Sequence, residues 1–498
     1  MDKDKNIYST LGLPQTADQT DGQAAGKTDV QTAGQVVGEI EERIAYMLSN
    51  PSKTGNGGSR WSYLKSVNRL SKLAGYNPKH HKGIPQCQEV VQYRPQLLKL
   101  FSLWGTDNPK VMVHTVNHLT GEGTLELSGI KALADDAAEI ELSSHDRTMM
   151  NLMDFSGEKM PVALCVGGNP AYKVVATSSI PSDIDPYFFA GLVDDKAVKV
   201  VRCLTQELLV PDDCDYVIEG YLTKKELLND KFPIVHITGI THRKGAASPC
   251  VPSSPTDSRD NCSQLKELAA LRERVILQFL RYAADRDITD LYLPPYGNGT
   301  ALAVIKIKRR YPCHAAKVAH AVWGSNQLML NKVLIIVDEN TKDIRSGEQL
   351  LCAVGSNYSP KSRTLFSRGP ADTSDSSTPV KGFGGKICID ATSTQTTATT
   401  TITTTTSTQA TAIPQTPTSA TTPVRKSGEN VNNLSGSIAA IKFIHKGDTM
   451  PSDARIIAVL PKETDIDDMA VCLHRLMAKA DPIRDSSYVG NQLVVDIS

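Results

Sequence analysis

The residues best placed to do chemistry lie in one stretch, His236-Ile-Thr-Gly-Ile-Thr-His-Arg-Lys244. Alternate side chains of an extended strand share a face, which groups His236, Thr238 and Ile240 and adds His242 if the strand continues. Two imidazoles on one face can carry protons or bind a metal, since histidine titrates nearest neutrality. No acidic partner accompanies them in sequence, so ordinary strand histidines are the competing reading. Two glycine-rich segments can present backbone N–H groups to an anion. Gly382-Phe-Gly-Gly-Lys386 resembles a phosphate cradle without satisfying G-x4-G-K-[ST], and Gly167-Gly-Asn-Pro170 follows the apolar run PVALCV. A plain turn explains either one. The segment 443–448 reads as a turn at a strand edge.

The ten cysteines contain no C-x2-C pair, and several, such as Cys165 and Cys388, sit inside apolar runs. They read as reduced thiols packed as small hydrophobes rather than as a zinc site.

The elements that must position these residues are of mixed type. Ile40, Ile44 and Met47 mark a helix over 35–49, stopped by Pro51, and Leu64, Val67, Leu70 and Leu73 mark another over 60–74. Short Val- and Ile-rich strands follow at 110–115, 161–166, 197–203, 216–222 and 232–240, with the spacing of an antiparallel sheet or barrel. Ser263 caps a long core-packing helix. Strand and helix then alternate through 290–354, the pattern of an α/β unit with a parallel sheet. Residues 455–485 echo 333–363 in order: a strand, an acidic turn with Asp-Ile, a helix, and a Ser/Asp-Pro segment. They form a weak internal repeat whose strand is expected to join a sheet.

Composition sets the outer limits. The chain has 498 residues with 54 basic against 54 acidic side chains, so it is no scaffold for neutralising a nucleic acid backbone. No apolar run reaches the roughly 18 residues a membrane span needs. The N-terminus lacks a secretory h-region, and a cytoplasmic location is expected. Threonine fills 17 of the 32 residues from Thr392 to Pro423, too polar a tract to build a core. The expected architecture is an α+β and α/β multidomain protein. Its segments are a disordered tail (1–34), a helical region (35–104), a split-barrel-like, flavin-binding-like β domain (105–255) and a linking helix (256–285). An α/β domain (286–392), a Thr-rich disordered insert (393–433) and the C-terminal completion of that α/β domain (434–498) follow.

Read as ordered blocks, the chain resembles the UbiD-type decarboxylases, which depend on prenylated flavin mononucleotide. The blocks include IPQCQEVV (84–91), MPVALCVGGNPAY (160–172), IDPYFFAG (184–191), VRCLTQELLVPDDCDYVIEGYL (201–222) and FPIVHITGITHRK (232–244). LAVIKIKRRYPCHAAKVAHAVWG (302–324), KVLIIVDEN (332–340), LFSRGPADTSDSS (365–377), GFGGKICIDAT (382–392) and the terminal 455–496 block complete the series. With the helical 36–80 region, that last block looks like the long form seen in Bacteroidetes.

The resemblance implies a carboxy-lyase acting on an aromatic or α,β-unsaturated acid, as in ubiquinone or menaquinone biosynthesis. It also implies prenylated FMN, a divalent metal (Mn or Mg) and an oligomer. Lys386 lies in a motif that contacts the flavin phosphate in relatives. Yet the family's E-G-P-[FY]-G-[DE]-x-T-G acid loop is missing after Val-Ile-Glu-Gly220, where the chain passes almost directly into FPIVHITG. The metal-binding Glu of D-E-x-x-x-A-G is replaced by Pro186, beside Asp185. The Asn and Arg of T-G-x-x-N-x-G-x-Y-R fall opposite Thr124 and Gly129, and no His-Trp-containing segment follows. No catalytic or metal residue is matched, so weak or absent activity is expected. The alternatives are a working enzyme with His236 or His242 as relocated proton donor, and a non-catalytic regulatory subunit paired with an intact paralogue.

Overall fold

The computed structural model describes residues 28–49, 70–143, 145–226, 232–249, 263–294, 301–372, 375–393 and 439–498. Residues 60–69 of the helix expected over 60–74, the tail before Thr28 and the Thr-rich insert from 394 onward lie outside them. Helix α1 (Thr28–Leu48) starts inside the tract that composition assigns to a disordered tail. Its buried Ile40 and Ile44 anchor two turns, and extending an anchored helix adds one hydrogen bond per residue without a new nucleus.

Next come β1 (Lys79–His80), β2 (Val90–Gln92), α2 (Leu97–Trp104), β3 (Lys110–Val116), β4 (Gly123–Ala134) and β5 (Ala137–Ile140). They are followed by α3 (Arg147–Asp154), β6 (Met160–Val166), α4 (Pro170–Thr177), α5 (Pro186–Asp194), β7 (Lys199–Arg202), β8 (Leu209–Pro211), β9 (Tyr216–Leu222) and β10 (Ile234–His242). Six antiparallel strands close on themselves in the order β10-β5-β4-β3-β6-β9, with β9 pairing back to β10 and β2 added on β10. Closure removes the sheet edges that would otherwise expose unpaired backbone. Val113, Ile130, Ile140, Leu164, Ile218 and Val235, one from each strand, fill the lumen, and Leu97, Phe101 and Trp104 of α2 pack on the same core. The alternate residues Met112, Ala163, Cys165 and Val217 face outward into a second core shared with α1, α4 and α5. The expected split-barrel-like domain is thus a closed six-stranded barrel.

Helix α6 (Ser263–Ala283) ties the two halves together. Val275 and Phe279 belong to the outer core of the barrel, while Ile276, Leu277 and Leu280 belong to the core of the following α/β unit. That unit comprises β11 (Ile288–Tyr292), β12 (Leu302–Ile307), α7 (His314–Trp323), β13 (Val333–Asp338), α8 (Gly347–Asn357), α9 (Pro360–Arg363), β14 (Thr364–Pro370) and β15 (Phe383–Asp390). Its sheet runs β11-β12-β13-β15-β14, with three parallel central strands and an antiparallel strand at each edge.

The last segment supplies β16 (Ala439–His445), β17 (Ala454–Leu460), α10 (Met469–Lys479), β18 (Ser486–Val489) and β19 (Gln492–Asp496). The sequence echo is a structural one: β16-β17-β19-β18 repeats the order and the parallel and antiparallel pairings of β12-β13-β15-β14. The strand of the repeat joins a sheet of the repeat's own rather than the first one. Antiparallel β14 already closes the edge it would have joined. The two sheets meet through a shared apolar core that includes Ile387, Ile389, Leu350, Ala440, Ile456 and Leu493.

One buried cation fastens this joint. Lys332, at the foot of β13, donates to Ser377 Oγ at 2.8 Å and to the carbonyls of Met477 (2.8 Å) and Ala480 (3.0 Å) in the second repeat, and pairs with Asp375 at 2.5 Å. Asp481 completes it from the other side, accepting from Gly385 N at 2.8 Å. Lys332→Met strands the Asp375 carboxylate away from water, and its unfolding free energy in urea should fall by about 3–5 kcal/mol. Adding Asp375→Asn should recover part of that loss.

Candidate functional site

The histidine strand does not build the face that simple alternation predicts. The β9–β10 pairing steps from Ile237–Gly220 to Gly239–Glu219, so Thr238 is an extra residue in a β-bulge and the phase of the strand reverses there. Val235, Ile237 and Ile240 therefore all belong to the lumen core. His236 faces outward, its ring stacked on Tyr221 at 5.0 Å, whereas His242 faces the lumen side, 5.3 Å from Tyr216. His242 Nδ1 lies 3.0 Å from its neighbour's carbonyl, Arg243 O. Opposite faces of one sheet cannot hold a histidine pair.

Both glycine-rich segments are fitted around carboxylates of the chain itself. A Cβ on Gly167 would overlap Asp215, and one on Gly385 would lie 2.7 Å from Asp481 Oδ1. Asn169 caps α4 by accepting from Ala171 N at 2.9 Å. These segments are turns and close approaches, and each carboxylate stands where an external anion would have to sit.

Lys386 is buried in β15, where its ammonium donates to Met329 O at 2.6 Å and Asn331 O at 2.7 Å. Burial lowers its pKa to about 8. It lines a pocket of about 120 Å³ with Lys332, Asp372, Asp375 and Thr378. A lysine has three N–H donors and Lys386 spends two, so one remains for a phosphate oxygen.

The richest titratable cluster was passed over in the sequence because its members are far apart along the chain. Glu126 on β4 caps α3 from outside, accepting from Arg147 N (2.9 Å), Thr148 N (3.0 Å) and Thr148 Oγ1 (2.8 Å). Asp146, at the N-cap position, accepts from Ser143 N at 2.5 Å. Burial, then the nearby Glu126, push the Asp146 carboxyl up to about 7, with Asp372 of the α/β unit adding to the effect. Burial lowers the pKa of His145, against the pull of Asp372 and Glu126. Asp372 thus lines the Lys386 pocket and also acts electrostatically on Asp146 and His145 of the barrel, which links the two groups of residues.

Other groups are committed to structure. Glu219 is fully buried and accepts from Leu204 N (2.9 Å), Thr205 N (2.5 Å) and Thr205 Oγ1 (2.7 Å). A lone acid inside the apolar run VIEGYL is the sequence signal that could have found it. A Cβ on Gly129 would overlap Glu141, which pairs with Lys110 at 2.6 Å. Thr124 is buried on β4 with its hydroxyl toward Thr115 O. Pro186 opens α5 at N1, behind the N-cap Asp185, which accepts from Tyr187 N and Phe188 N at 3.0 and 2.8 Å.

Among the described residues one set of three ligand atoms converges: Asp285, Asp287 and His314. Asp285 is held by Lys317 at 2.6 Å and His314 at 3.0 Å, and Arg310 takes Asp287 at 2.9 Å. Burial would raise the Asp285 pKa, but Lys317 and its other donors hold it down to about 2. A cation there would have to displace two cationic side chains, so a divalent metal does not fit. Cys87, Cys165, Cys203 and Cys214 share the outer barrel core, and burial pushes the Cys87 thiol up to about 12. Neutral thiols of that kind are inert packing groups.

Comparison with known proteins agrees with this architecture. Residues 131–255 match the 3-octaprenyl-4-hydroxybenzoate carboxy-lyase Rift-related domain, and residues 267–391 match the C-terminal domain of the same carboxy-lyase. An uncharacterized protein of Aquifex aeolicus is 34% identical over 357 residues, 66% of this chain and 71% of that protein. The fold is shared with vanillic acid decarboxylase of Sedimentibacter hydroxybenzoicus in its closed form, with a TM-score of 0.56, 20% identity and coverage of 72% and 80%. It is also shared with an evolved dimeric form of the UbiD-class enzyme HmfF from Pelotomaculum thermopropionicum in complex with prFMN, at a TM-score of 0.52, 17% identity and coverage of 72% and 80%. The closed flavin-barrel-like domain followed by an α/β unit is that of the UbiD-class decarboxylases. The chain belongs to the UbiD family. No helix among the described residues is long and apolar enough to cross a membrane.

Asp146 gives this cluster a measurable pH signature. Its folded pKa of about 7 lies above the unfolded value of roughly 4, so the native state holds a proton that the unfolded chain releases between those limits. That contribution is present below pH 4 and is lost as pH rises to 7. Asp146→Asn should flatten the slope and leave the variant on the order of 2 kcal/mol more stable than the parent at pH 8, with little difference at pH 4, by urea denaturation.

Proposed function

We propose that this chain is a flavin-binding UbiD homologue whose carboxy-lyase activity is weak or absent. The observation that carries this reading is Gly129. The position opposite the family's carboxylate-clamping arginine carries no side chain, and the space beside it is taken by the Glu141 carboxylate, which pairs with Lys110. The β9–β10 connection supports it, since residues 223–233 between Leu222 and Ile234 do not carry the acid-loop motif.

A bound prenylated flavin would supply the electron sink for losing CO2 from an aromatic or α,β-unsaturated acid. Lys386 would hold its phosphate through the remaining N–H. Asp146 keeps a proton up to about pH 7, which favours a second reading in which it replaces the missing acid. The position of the family's carboxylate-clamping arginine is taken by Gly129 here, and orientation of the substrate is a large part of such a rate. The prenylated flavin and the dimeric assembly of HmfF are carried over here as part of the proposal. Association with an intact paralogue, which would provide the clamp, is the non-catalytic alternative.

Co-expression with a prenylated-flavin synthase, followed by visible spectra and metal analysis of the purified protein, tests this reading. Bound flavin without stoichiometric metal is expected, together with loss of the flavin in Lys386→Met. Steady-state turnover of benzoic or cinnamic acids should fall short of an intact enzyme by about 10²-fold or more. A metal-loaded protein that turns over freely would overturn it.

A further inference from the structure

The joint between the two α/β repeats encloses a cavity of about 160 Å³ that none of the chemistry above uses. Each repeat contributes one sheet face and one helix. Ile335, Ile389 and Leu350 line it from the first copy, and Ile456, Leu493 and Leu476 from the second. The duplication has thus built a chamber with quasi-equivalent walls.

Its polar atoms are few, and they define the occupant. Lys332 touches the cavity, but its ammonium is committed to Asp375, Ser377 and two carbonyls of the second repeat. Ser486, at the start of β18, also lines the cavity, and its Oγ is buried with no hydrogen-bond partner among the described residues. A buried hydroxyl left unpaired is costly, and it can both donate and accept. With no free charge on the walls, a carboxylate could enter only unpaired and desolvated. Apolar chambers of about 150 Å³ are known to take a benzene-sized guest.

We propose that this chamber binds a neutral monocyclic aromatic bearing one hydroxyl or carbonyl, with the ring against the apolar walls and the oxygen on Ser486. The chamber adjoins the Lys386 pocket, with Lys332 and Met477 in both linings, but the proposal stands whether or not the chain binds flavin or releases CO2.

Met469 and Met477 line the chamber, so methyl-¹³C methionine NMR of the full chain reports on it directly. Phenol and toluene should shift both methyl signals saturably, and benzoate should not. Ser486→Ala should weaken phenol roughly 5-fold and leave toluene unchanged, the difference made by one neutral hydrogen bond. Ala440→Phe, which places a ring in the space, should abolish the shifts from both neutral probes while the remaining methionine signals keep their native positions. Methyl signals unmoved by phenol and toluene, benzoate binding as tightly as phenol, or phenol affinity indifferent to Ser486→Ala would each overturn the proposal.

Discussion

The buried ammonium of Lys332 is the contact on which the C-terminal half depends. It sits where β13 begins, between two sheets that share no hydrogen-bonded edge, and it reaches two carbonyls at the end of α10. Apolar packing alone would let one repeat slide on the other, because hydrophobic burial has no direction. A charge that can be satisfied in only one place fixes the register. The same ammonium holds Asp375 and Ser377, which places Asp372 nearby, facing the α3 cluster of the barrel. The placement of Asp372 against that cluster therefore follows from how the duplicated unit is fastened.

A second consequence concerns where the carboxylates went. Asp215, Asp481, Glu141 and Glu219 are each satisfied by the chain's own amides, hydroxyls or cations. A network in which every member is paired is rigid and stable, and it offers an external ligand little to gain. The scaffold is retained because its closure, its α6 link and its repeated sheets do not depend on those groups.

Much of this fold was legible in the residues. The 3.6-residue spacing of Ile40 and Ile44, the strand runs ending at Val166 and Leu222, and the long helix from Ser263 appear where periodicity puts them. The repeat was visible as Asp343-Ile344 against Asp465-Ile466. What periodicity could not show is a change of phase: one bulge at Thr238 moved His242 to the opposite face from His236. Nor could it show that Gly167 and Gly385 are small to admit Asp215 and Asp481, since those partners are distant in sequence. The Glu126, Asp146 and Asp372 cluster was invisible for the same reason. Which sheet the repeat's strand joins was not legible either, because edge closure by β14 is a property of topology rather than of any single segment.

If the scaffold has outlived its chemistry, the bound flavin should be idle even for one cycle. Single-turnover release of labelled CO2 from a carboxyl-labelled aromatic acid, by flavin-loaded protein in excess over substrate, measures this without any contribution from product release. The prediction is release no faster than in the flavin-free control. A burst approaching one CO2 per bound flavin would contradict it.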